Sequence, residues 1–356
     1  MRLRGLAVLA LATLAGCGHS EPFQPLDTTT DQPFRPGAPT RLTYNAGKDL
    51  RPAWLPDGSG FVYAWQQIGQ PNKDRCLGIM SATGGTRVQT ICNPDPTSAD
   101  SLDLFDSPSP SPDGRILYIR GSSPPSALAP SWAGVFAGPL SDPLAAVKLL
   151  NLPFTPPGDS MQGHISHARW VSSTRVMFLG EQVDYIGVVS KDTVVTGRAI
   201  IDMDLSGPTP TISSVPGTSD ARSLDLTSNR DTLVYTLAFD TRVYARALAT
   251  GQVSVLHDFG ARGPAQEATI RGNQLVAVVG VRPEGGVLVS VDLSTGTEAL
   301  IPGGGLYFFR QPAFSPVGSP PRLIAEGYTW SSVVIMPGLE DTLVSKNGDI
   351  YLYEAP

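Results

Sequence analysis

Residues that commonly perform chemistry are scarce in this chain, and their scarcity excludes several kinds of protein. Three cysteines and four histidines occur among 356 residues, and charged residues make up only 16% of the total. Lys and Arg (26) do not outnumber Asp and Glu (32), so the formal net charge is −6. Because phosphate binding needs a surplus or a stripe of basic residues, the composition argues against a nucleic-acid partner.

Familiar catalytic and cofactor motifs are missing as well. No Gly-x-Ser-x-Gly sequence is present to form the nucleophile elbow of an α/β-hydrolase. The run Gly303-Gly304-Gly305 precedes neither a helical pattern nor a Lys-Ser/Thr pair, so it does not form a phosphate-binding loop. We therefore predict a protein that is not an enzyme and that carries no cofactor.

The N-terminus has the pattern of an export signal. A basic start and a short apolar segment, residues 6–12, lead into Leu14-Ala15-Gly16-Cys17. This sequence resembles the bacterial lipobox, in which signal peptidase cuts before an acylated Cys. The apolar segment is shorter than the about 20 residues that a transmembrane helix needs. Residues 1–16 are thus predicted to be a lipoprotein signal peptide and Cys17 to be lipidated. The alternative is an ordinary secretory signal that contains a cysteine.

The segment that follows the signal predicts a tether. Residues 17–38 are rich in proline and polar side chains, a composition typical of an extended linker. Gly18, rather than Asp, follows Cys17, which resembles the outer-membrane lipoproteins of enteric bacteria. We expect the lipid on Cys17 to hold the protein on a membrane of the bacterial cell envelope, at the outer membrane, facing the periplasm or the cell surface.

The two remaining cysteines, Cys76 and Cys92, flank a predicted hairpin. Its turn is centred on Gly84, midway between them, and apolar or β-branched runs lie on both sides. Cysteines opposite each other across antiparallel strands lie within disulfide reach, and an exported compartment favours oxidation. We predict a Cys76–Cys92 disulfide. The alternative is two free buried thiols, since no further cysteine exists to complete a zinc site.

A short motif recurs along the chain at intervals of 44 to 60 residues. Segments 51–58 and 107–114 both end in Pro-Asp-Gly and are followed by an apolar strand pattern. The equivalent residues of the six units are Trp54, Pro110, Trp170, Leu226, Ile270 and Phe314. Each unit shows short strand patterns separated by turn residues, and the last unit lacks an outer strand that residues 40–44 can supply. This periodicity predicts an all-β fold: a six-bladed β-propeller over residues 39–356, with four-stranded antiparallel blades and an N-terminal strand closing the last blade.

The motifs resemble a known repeat family. In the propeller of the Tol-Pal protein TolB and its WD-like relatives, an Arg/Lys-Leu-Thr strand precedes Pro-x-Trp-Ser-Pro-Asp-Gly. Arg41-Leu42-Thr43 and segment 52–58 fit this pattern, and segment 111–114 keeps its Ser-Pro-Asp-Gly. The resemblance implies a TolB-like propeller. It suggests a lipoprotein without the α/β domain that TolB carries ahead of its propeller, and it implies little about function.

Loops that lead into the innermost strands are expected to converge at one end of the channel, where propellers bind ligands. The residues three positions before the equivalent residues are Arg51, Ser107, His167, Ser223, Glu267 and Gln311. From these positions and those one residue earlier we select the charged and histidine side chains as the predicted binding face: Arg51, Asp106, His167, Arg222, Glu267 and Arg310. The alternative is a solvated rim of loop residues without a ligand.

One histidine pair, His164 and His167, lies just before the innermost strand of the third unit. A lyase family with a TolB-like propeller uses histidines at its channel mouth to hold a divalent metal. No carboxylate motif accompanies the pair here, so we predict no metal site and assign both to the loop surface.

We expect an envelope lipoprotein whose propeller binds a protein or a glycan. The alternative is a polysaccharide lyase or a glycosidase, which would need His164, His167, Asp106 and Glu267 to converge at the channel mouth.

Overall fold

The protein is built almost wholly from β-strands. A computed structural model describes residues 39–354 except 45–46, 67–74, 93–101, 124–131, 160, 187–191, 283–284, 304–305, 307, 329, 337–338 and 345–347. Within this part of the chain, the only helices are two short 3₁₀ turns, Pro143–Ala145 and Gly260–Arg262. None of the helices found there is long and apolar enough to cross a membrane. The predicted signal peptide, Cys17 and the tether lie outside the described residues.

The described part of the chain contains twenty-six strands. In order they are β1 (Thr40–Arg41), β2 (Lys48–Trp54), β3 (Gly60–Gln66), β4 (Cys76–Ser81), β5 (Arg87–Ile91), β6 (Leu102–Pro110), β7 (Arg115–Ser123), β8 (Trp132–Pro139), β9 (Val147–Leu152), β10 (His164–Ser172), β11 (Arg175–Ile186), β12 (Asp192–Asp204), β13 (Thr211–Ser214), β14 (Ala221–Leu226), β15 (Thr232–Leu237), β16 (Arg242–Ala247), β17 (Val253–Asp258), β18 (Ala265–Arg271), β19 (Gln274–Arg282), β20 (Gly285–Asp292), β21 (Thr297–Leu300), β22 (Phe308–Phe314), β23 (Arg322–Tyr328), β24 (Trp330–Met336), β25 (Leu339–Val344) and β26 (Asp349–Glu354).

Most of these strands form antiparallel sheets of four, and β24 pairs with β25 in a two-stranded sheet. Sheets 1 to 5 take four consecutive strands each: β2–β5, β6–β9, β10–β13, β14–β17 and β18–β21. Pairing of Gly286 in β20 with Phe309 in β22 links sheet 5 to the sixth sheet, so that the two are continuous. Sheet 6 has the order β22-β23-β26-β1, so the first strand of the chain pairs with the last. Thr40 lies opposite Leu352, and the Leu42 N–H donates to the Ile350 carbonyl at 2.8 Å. The described strand is shorter than the predicted 40–44, but it lies on the predicted edge.

The Pro-Asp-Gly segments form the turns between first and second strands. Asp57 Oδ1 accepts hydrogen bonds from the N–H and the hydroxyl of Ser59, at 3.0 and 2.7 Å. Gly58 has φ of 66°, a left-handed conformation that favours glycine. Gly114 repeats this with φ of 80°. The recurring motif is therefore turn chemistry, in which Asp bonds the backbone and Gly permits the reversal.

Apolar side chains of neighbouring sheets pack against each other to form the core. One cluster joins Trp54 and Phe61 of sheet 1 to Ala313 and Ile324 of sheet 6. The Trp54 indole N–H also donates to the Ala313 carbonyl at 2.9 Å. Trp170 of sheet 3 makes the same bond to the Ser109 carbonyl of sheet 2 at 2.9 Å. Each tryptophan thus joins two sheets through both apolar contact and a buried hydrogen bond.

The predicted disulfide is present. Cys76 and Cys92 are bonded, with their Cα atoms 4.7 Å apart. Gly84 and Gly85, with φ of 78° and 102°, form the turn between β4 and β5 that brings the two cysteines together.

β24 and β25 pair as an antiparallel hairpin, with Trp330 opposite Val344. β11 and β12 form a second long hairpin, whose pairing continues to Ile186 and Asp192. Long hairpins therefore connect the second and third strands of sheets 3 and 6.

Two buried tyrosines provide a matched test of core hydrogen bonding. The Tyr118 hydroxyl donates to the Pro143 carbonyl at 2.6 Å, whereas the Tyr353 hydroxyl is buried without a partner among the described residues. Tyr118→Phe removes this hydrogen bond, while the Pro143 carbonyl keeps the Ala146 N–H at 3.2 Å, and should lower the free energy of unfolding by about 0.5–1.5 kcal/mol. Tyr353→Phe removes an unpaired hydroxyl and should leave stability unchanged or raise it. Chemical denaturation of the two variants checks this, and equal losses would contradict the described hydrogen bonds.

Candidate functional site

Every innermost strand carries an irregularity near the same place. The pairing with the second strand shifts register between Leu50 and Ala53 in sheet 1, and sheets 2, 3 and 6 repeat this at equivalent positions. In sheets 4 and 5 the shift lies slightly earlier, between Ala221 and Ser223 and between Ala265 and Glu267. In each sheet, the sequence pattern indicates one residue, three positions before the equivalent residue of its innermost strand. All six of these residues line one cavity of about 30 Å³. They are Arg51, Ser107, His167, Ser223, Glu267 and Gln311. Such a cavity has room for about one water molecule.

Four of these six residues have strained backbones. Arg51, Ser107, His167 and Gln311 have φ of 56°, 49°, 52° and 49°, a region that residues other than glycine rarely adopt. Such strain costs free energy and persists only where surrounding contacts impose it. For three of the four residues the contact is a carboxylate. Glu326 of sheet 6 accepts a hydrogen bond from the Arg51 N–H of sheet 1.

The same arrangement recurs between sheets 5 and 6 and within sheet 2. The Gln311 N–H donates to Glu267, and the Ser107 N–H donates to Asp106 Oδ1 at 2.7 Å. Buried acidic side chains are therefore part of the architecture around this cavity. We use the term mouth for the end of the sheets at which the innermost strands begin.

Asp106 is a buried anion with two cationic partners at the mouth. Arg51 Nη1 lies 2.9 Å from its Oδ1, and Arg75 Nη1 bonds its Oδ2. Burial alone would raise the pKa of Asp106, but Arg51 and Arg75 outweigh it and hold the pKa far below its usual range. Asp106 is therefore ionised, and it ties sheet 1 to sheet 2.

His164 lies between two buried carboxylates. Its Nδ1 is 3.2 Å from Glu181 Oε2, and its Nε2 is 3.9 Å from Asp106 Oδ2. Burial lowers the pKa of His164, but the two carboxylates more than compensate, so the pKa is raised above its ordinary value. Burial likewise would raise the pKa of Glu181, yet His164 and neighbouring arginines hold it well below its ordinary value. Arg198 Nε, at 3.2 Å from Oε1, is one of these.

His167 behaves in the opposite way. Its Nδ1 lies 3.1 Å from the Ser166 hydroxyl, while its Nε2 is buried without a partner among the described residues. Burial, reinforced by the positive charge of Arg169, lowers the pKa of His167 to about 3. The pKa values of the two histidines are therefore shifted in opposite directions, although the residues are three positions apart, and His167 is uncharged at neutral pH.

A second acidic cluster lies across the mouth, in sheets 5 and 6. Glu267 Oε1 is 3.9 Å from Arg310 Nε, and the Tyr328 hydroxyl donates to Glu326 Oε2 at 2.9 Å. Burial raises the pKa of Glu267 despite the nearby Arg310. For Arg310, burial lowers the pKa, but Glu267 and Glu326 outweigh it and raise the pKa. Glu267 is the acidic residue among those that line the small cavity, and its pKa is raised.

Arg222 and Phe239 stand beside this cluster. The Arg222 guanidinium carbon lies 5.8 Å from the centre of the Phe239 ring, and Phe239 is 86% exposed. Burial, together with the like charge of Arg198, lowers the pKa of Arg222. No carboxylate whose side chain the structure describes lies within 4.0 Å of Arg222. Its charge is therefore not neutralised by a direct ion pair with any of them.

The structure brings the predicted residues together in two groups. Arg51 and Asp106 form an ion pair, and Glu267 and Arg310 are close neighbours. His167 lines the same cavity as Arg51 and Glu267. His164, named only as a metal candidate, bridges Asp106 and a carboxylate that the sequence did not indicate. In the described part of the chain, no group of three or more His, Cys, Asp or Glu side chains is placed to hold a metal ion.

Several mouth residues were missed by sequence reasoning because they lie on other strands. Glu181 and Glu326 are on second strands, Arg198 is on a third strand, and Arg75 directly precedes one. Antiparallel pairing places Glu181 opposite His164 and Glu326 opposite Arg310. A register assigned between first and second strands could have found both carboxylates.

Solved structures to which the chain is similar support the fold. A gluconolactonase from Xanthomonas campestris is 10% identical, with a TM-score of 0.53 and 89% of each chain covered. TolB from Acinetobacter baumannii is 18% identical, with a TM-score of 0.45 over 82% of this chain and 65% of TolB. Puromycin hydrolase is 11% identical, with a TM-score of 0.49 over 86% of this chain and 44% of the hydrolase.

This chain therefore spans less than two thirds of the length of TolB and of puromycin hydrolase. At these identities the likeness shows a fold alone, and the four-stranded antiparallel sheets of this chain are of the β-propeller kind. No family model and no curated protein sequence matches the chain.

The prediction that the protein is not an enzyme is wrong, because it treated the fold and the missing motifs as evidence against catalysis. A gluconolactonase is among the proteins with a similar fold. The lack of a Gly-x-Ser-x-Gly elbow excludes only one catalytic design. The fold by itself establishes no activity for this chain either.

The pKa values of the two mouth histidines should be shifted in opposite directions from the ordinary value. We expect NMR of the imidazoles to place the pKa of His164 above the ordinary value of about 6.5, with His167 neutral down to about pH 3. Because the folded pKa of His164 is raised, its contribution to stability is fully present below about pH 6.5 and is lost as the pH rises through the folded value. Glu181→Gln should lower the pKa of His164.

Glu298→Gln is the matched control for that variant, since Glu298 accepts from His257 at 2.8 Å in another part of the fold. It should leave the titration of His164 unchanged. A His164 pKa at or below 6.5 in the unsubstituted protein would contradict the described carboxylate contacts.

Proposed function

We propose that this protein binds an acidic glycan at the mouth of its propeller. The observation that carries the proposal is the proximity of three arginines from different sheets: besides burial, the charges of Arg198 and Arg310 lower the pKa of Arg222. Arg222 itself lies beside the exposed ring of Phe239. Arginine recognises carboxylate and sulfate groups through paired hydrogen bonds. An acidic sugar offers such a group together with an apolar ring face.

The charge balance at this point favours an anion. Arg198 is bonded to Glu181 through Nε, and Arg310 lies 3.9 Å from Glu267. Arg222 has no comparable partner among the described side chains, and its lowered pKa reflects partial burial and repulsion from the other arginines. A bound anion would relieve that repulsion and pair with Arg222.

Phe239 supplies an apolar platform. It lies at the tip of the turn between β15 and β16, with φ of 61°, which is unusual for a bulky residue. Backbone strain and an exposed aromatic ring at one position are features that cluster at ligand sites. The ring is free to stack on the C–H face of a sugar while Arg222 holds the acidic group.

The long hairpins suit an extended ligand. Pairing of β10 with β11 begins at His164 and Glu181, while β11 and β12 remain paired as far as Ile186 and Asp192. The β11–β12 hairpin therefore extends past the mouth. The β24–β25 hairpin leaves sheet 6 at the same end, after the pairing of Phe308 with Tyr328. Two such walls would confine a chain-like molecule.

We also propose that the six sheets are the blades of one closed six-bladed ring. Support comes from the pairing of β1 with β26, the packing of Trp54 against sheet 6, and the contribution of all six sheets to one cavity. Proteolysis that released β1 while leaving the fold intact would contradict this closure.

A second candidate is a lyase or glycosidase that uses the same mouth. Glu267, whose pKa is raised, and the neutral His167 line one cavity, so a proton donor and a proton acceptor are available together. A glycan bound by Arg222 and Phe239 would lie above them. The binding experiment below also detects turnover.

The test is a titration of the full chain with polygalacturonate, using methyl-esterified polygalacturonate as the uncharged counterpart. We expect the acidic polymer to bind and the ester to bind at least about tenfold more weakly, since each charge-assisted hydrogen bond contributes roughly 1.5–3 kcal/mol. Arg222→Gln should weaken binding of the acidic polymer about tenfold, and Phe239→Ala should also weaken it. Appearance of unsaturated or reducing ends would identify the enzyme.

Arg246→Gln is the matched control, because Arg246 lies on β16 of the same sheet and its exposed side chain donates to the Pro216 carbonyl at 3.0 Å. It should bind as the unsubstituted protein does. Equal affinity for polymer and ester, or unchanged binding by Arg222→Gln, would contradict the proposal.

We further propose that the protein acts in the bacterial cell envelope, held by lipid on Cys17. The basis is the sequence Leu14-Ala15-Gly16-Cys17 and the tether that follows it. Cys17→Ser should move the protein from the membrane fraction to the soluble fraction, because at least two acyl chains are needed for stable anchoring. Cys76→Ser, which removes a different cysteine, should remain membrane-bound. A membrane-bound Cys17→Ser protein would contradict the anchor.

A further inference from the structure

A larger cavity lies at the opposite end of the innermost strands from the mouth. It holds about 220 Å³, against about 30 Å³ for the cavity beneath the mouth, and it lies where the innermost strands end. We call it the turn-end cavity. Its wall includes the equivalent residue of every sheet, namely Trp54, Pro110, Trp170, Leu226, Ile270 and Phe314. Being smaller than the roughly 300–1,000 Å³ clefts that hold drug-sized ligands, it suits a small molecule.

One side of the cavity wall is apolar and is held in place. Hydrogen bonds from the indole N–H groups of Trp54 and Trp170 to carbonyls of the adjacent sheets fix both rings. Leu226 and Ile270 are 9% and 8% exposed, so little of their surface can move without disturbing the core. A ligand here would meet a wall that requires little reorganisation on binding.

The charged residues of the cavity do not balance. Arg169, Arg230 and Arg271 face a single carboxylate, Asp225, in a chain whose formal charge is −6. Both carboxylate oxygens of Asp225 already accept hydrogen bonds. Its Oδ1 accepts from Arg169 at 2.9 Å, and its Oδ2 accepts from the Thr269 hydroxyl at 2.6 Å. The lining is therefore positive, which favours an anion.

Of the three arginines, Arg230 is available to a ligand. Arg169 is paired with Asp225, and Arg271 donates to the Ser315 and Gly318 carbonyls at 2.8 and 2.6 Å. Arg230 makes no ion pair within 4.0 Å and no side-chain hydrogen bond to any residue that the structure describes. Its φ of 59° places it, under strain, in the turn after β14. It is half-buried, so its charge is partly removed from water.

We propose that the turn-end cavity binds a small organic anion with a flat apolar body, such as an aromatic monocarboxylate. The carboxylate pairs with Arg230, and the body lies against the Trp54 and Trp170 side of the apolar wall. A neutral ligand of the same shape would leave the half-buried guanidinium without a partner, whereas a carboxylate satisfies it. This site is separate from the mouth and requires neither glycan binding nor catalysis there.

Benzoate and benzamide, which have nearly the same shape, form the probe pair. In titrations of the full chain followed by NMR, benzoate should shift the indole N–H signals of Trp54 and Trp170. Benzamide should bind about tenfold or more weakly, since it lacks the charge that pairs with Arg230. Arg230→Gln should weaken benzoate binding to the level of benzamide.

Two further variants separate this proposal from the one above. Arg246→Gln, an equal charge change at an exposed position of the same sheet, should bind benzoate normally. Arg230→Gln should retain its binding of polygalacturonate, which also shows that it is folded. Equal binding of benzoate and benzamide, binding of neither, or loss of benzoate binding in Arg222→Gln instead would overturn the turn-end site while leaving the mouth proposal standing.

Discussion

The bulge in each innermost strand is the constraint on which the rest of this structure depends. It turns one residue per sheet toward a shared cavity and forces Arg51, Ser107, His167 and Gln311 into left-handed conformations. Non-glycine residues adopt such conformations at a cost, so each needs a compensating contact. Buried carboxylates supply it for three of them: Glu326 for Arg51, Glu267 for Gln311 and Asp106 for Ser107. Two of these contacts join neighbouring sheets, and so the strain and the attachment of sheet to sheet are linked.

The charge of the mouth follows from that arrangement. Each buried carboxylate needs a cation or a hydrogen-bond donor, because an unpaired buried anion is strongly unfavourable. Asp106 accordingly holds Arg51 and Arg75, and Glu181 holds His164 and Arg198. Once these pairs are formed, Arg222 is left beside like charges without a paired carboxylate among the described side chains. The structural role of the acids and the proposed recognition of an anion are thus consequences of one network.

The two ends of the innermost strands differ in chemical character. At the mouth, charged groups from first, second and third strands fill the space and leave room for about one water. Where the strands end, the aromatic and aliphatic residues that hold neighbouring sheets together also form the wall of the turn-end cavity. Trp54 and Trp170 serve both purposes, because the hydrogen bonds that join the sheets also fix their rings. A single repeat can therefore present a polar surface at one end and an apolar pocket at the other.

The sequence by itself determined the strand pattern, the equivalence of six positions and the disulfide. These depend on local features: turn residues such as Asp57 and Gly58, alternating apolar runs, and cysteines placed symmetrically about Gly84. The alignment of the six repeat units also identified Arg51, His167 and Glu267 as neighbours. Only the tertiary structure decided which groups pair and how they are charged. Glu181 and Arg198 lie on strands whose register with β10 no local pattern reveals, yet Glu181 raises the pKa of His164, while His167, three residues away, stays neutral. The reason is physical: turn and strand propensities act over a few residues, whereas burial and ion pairing depend on which strands fold against each other.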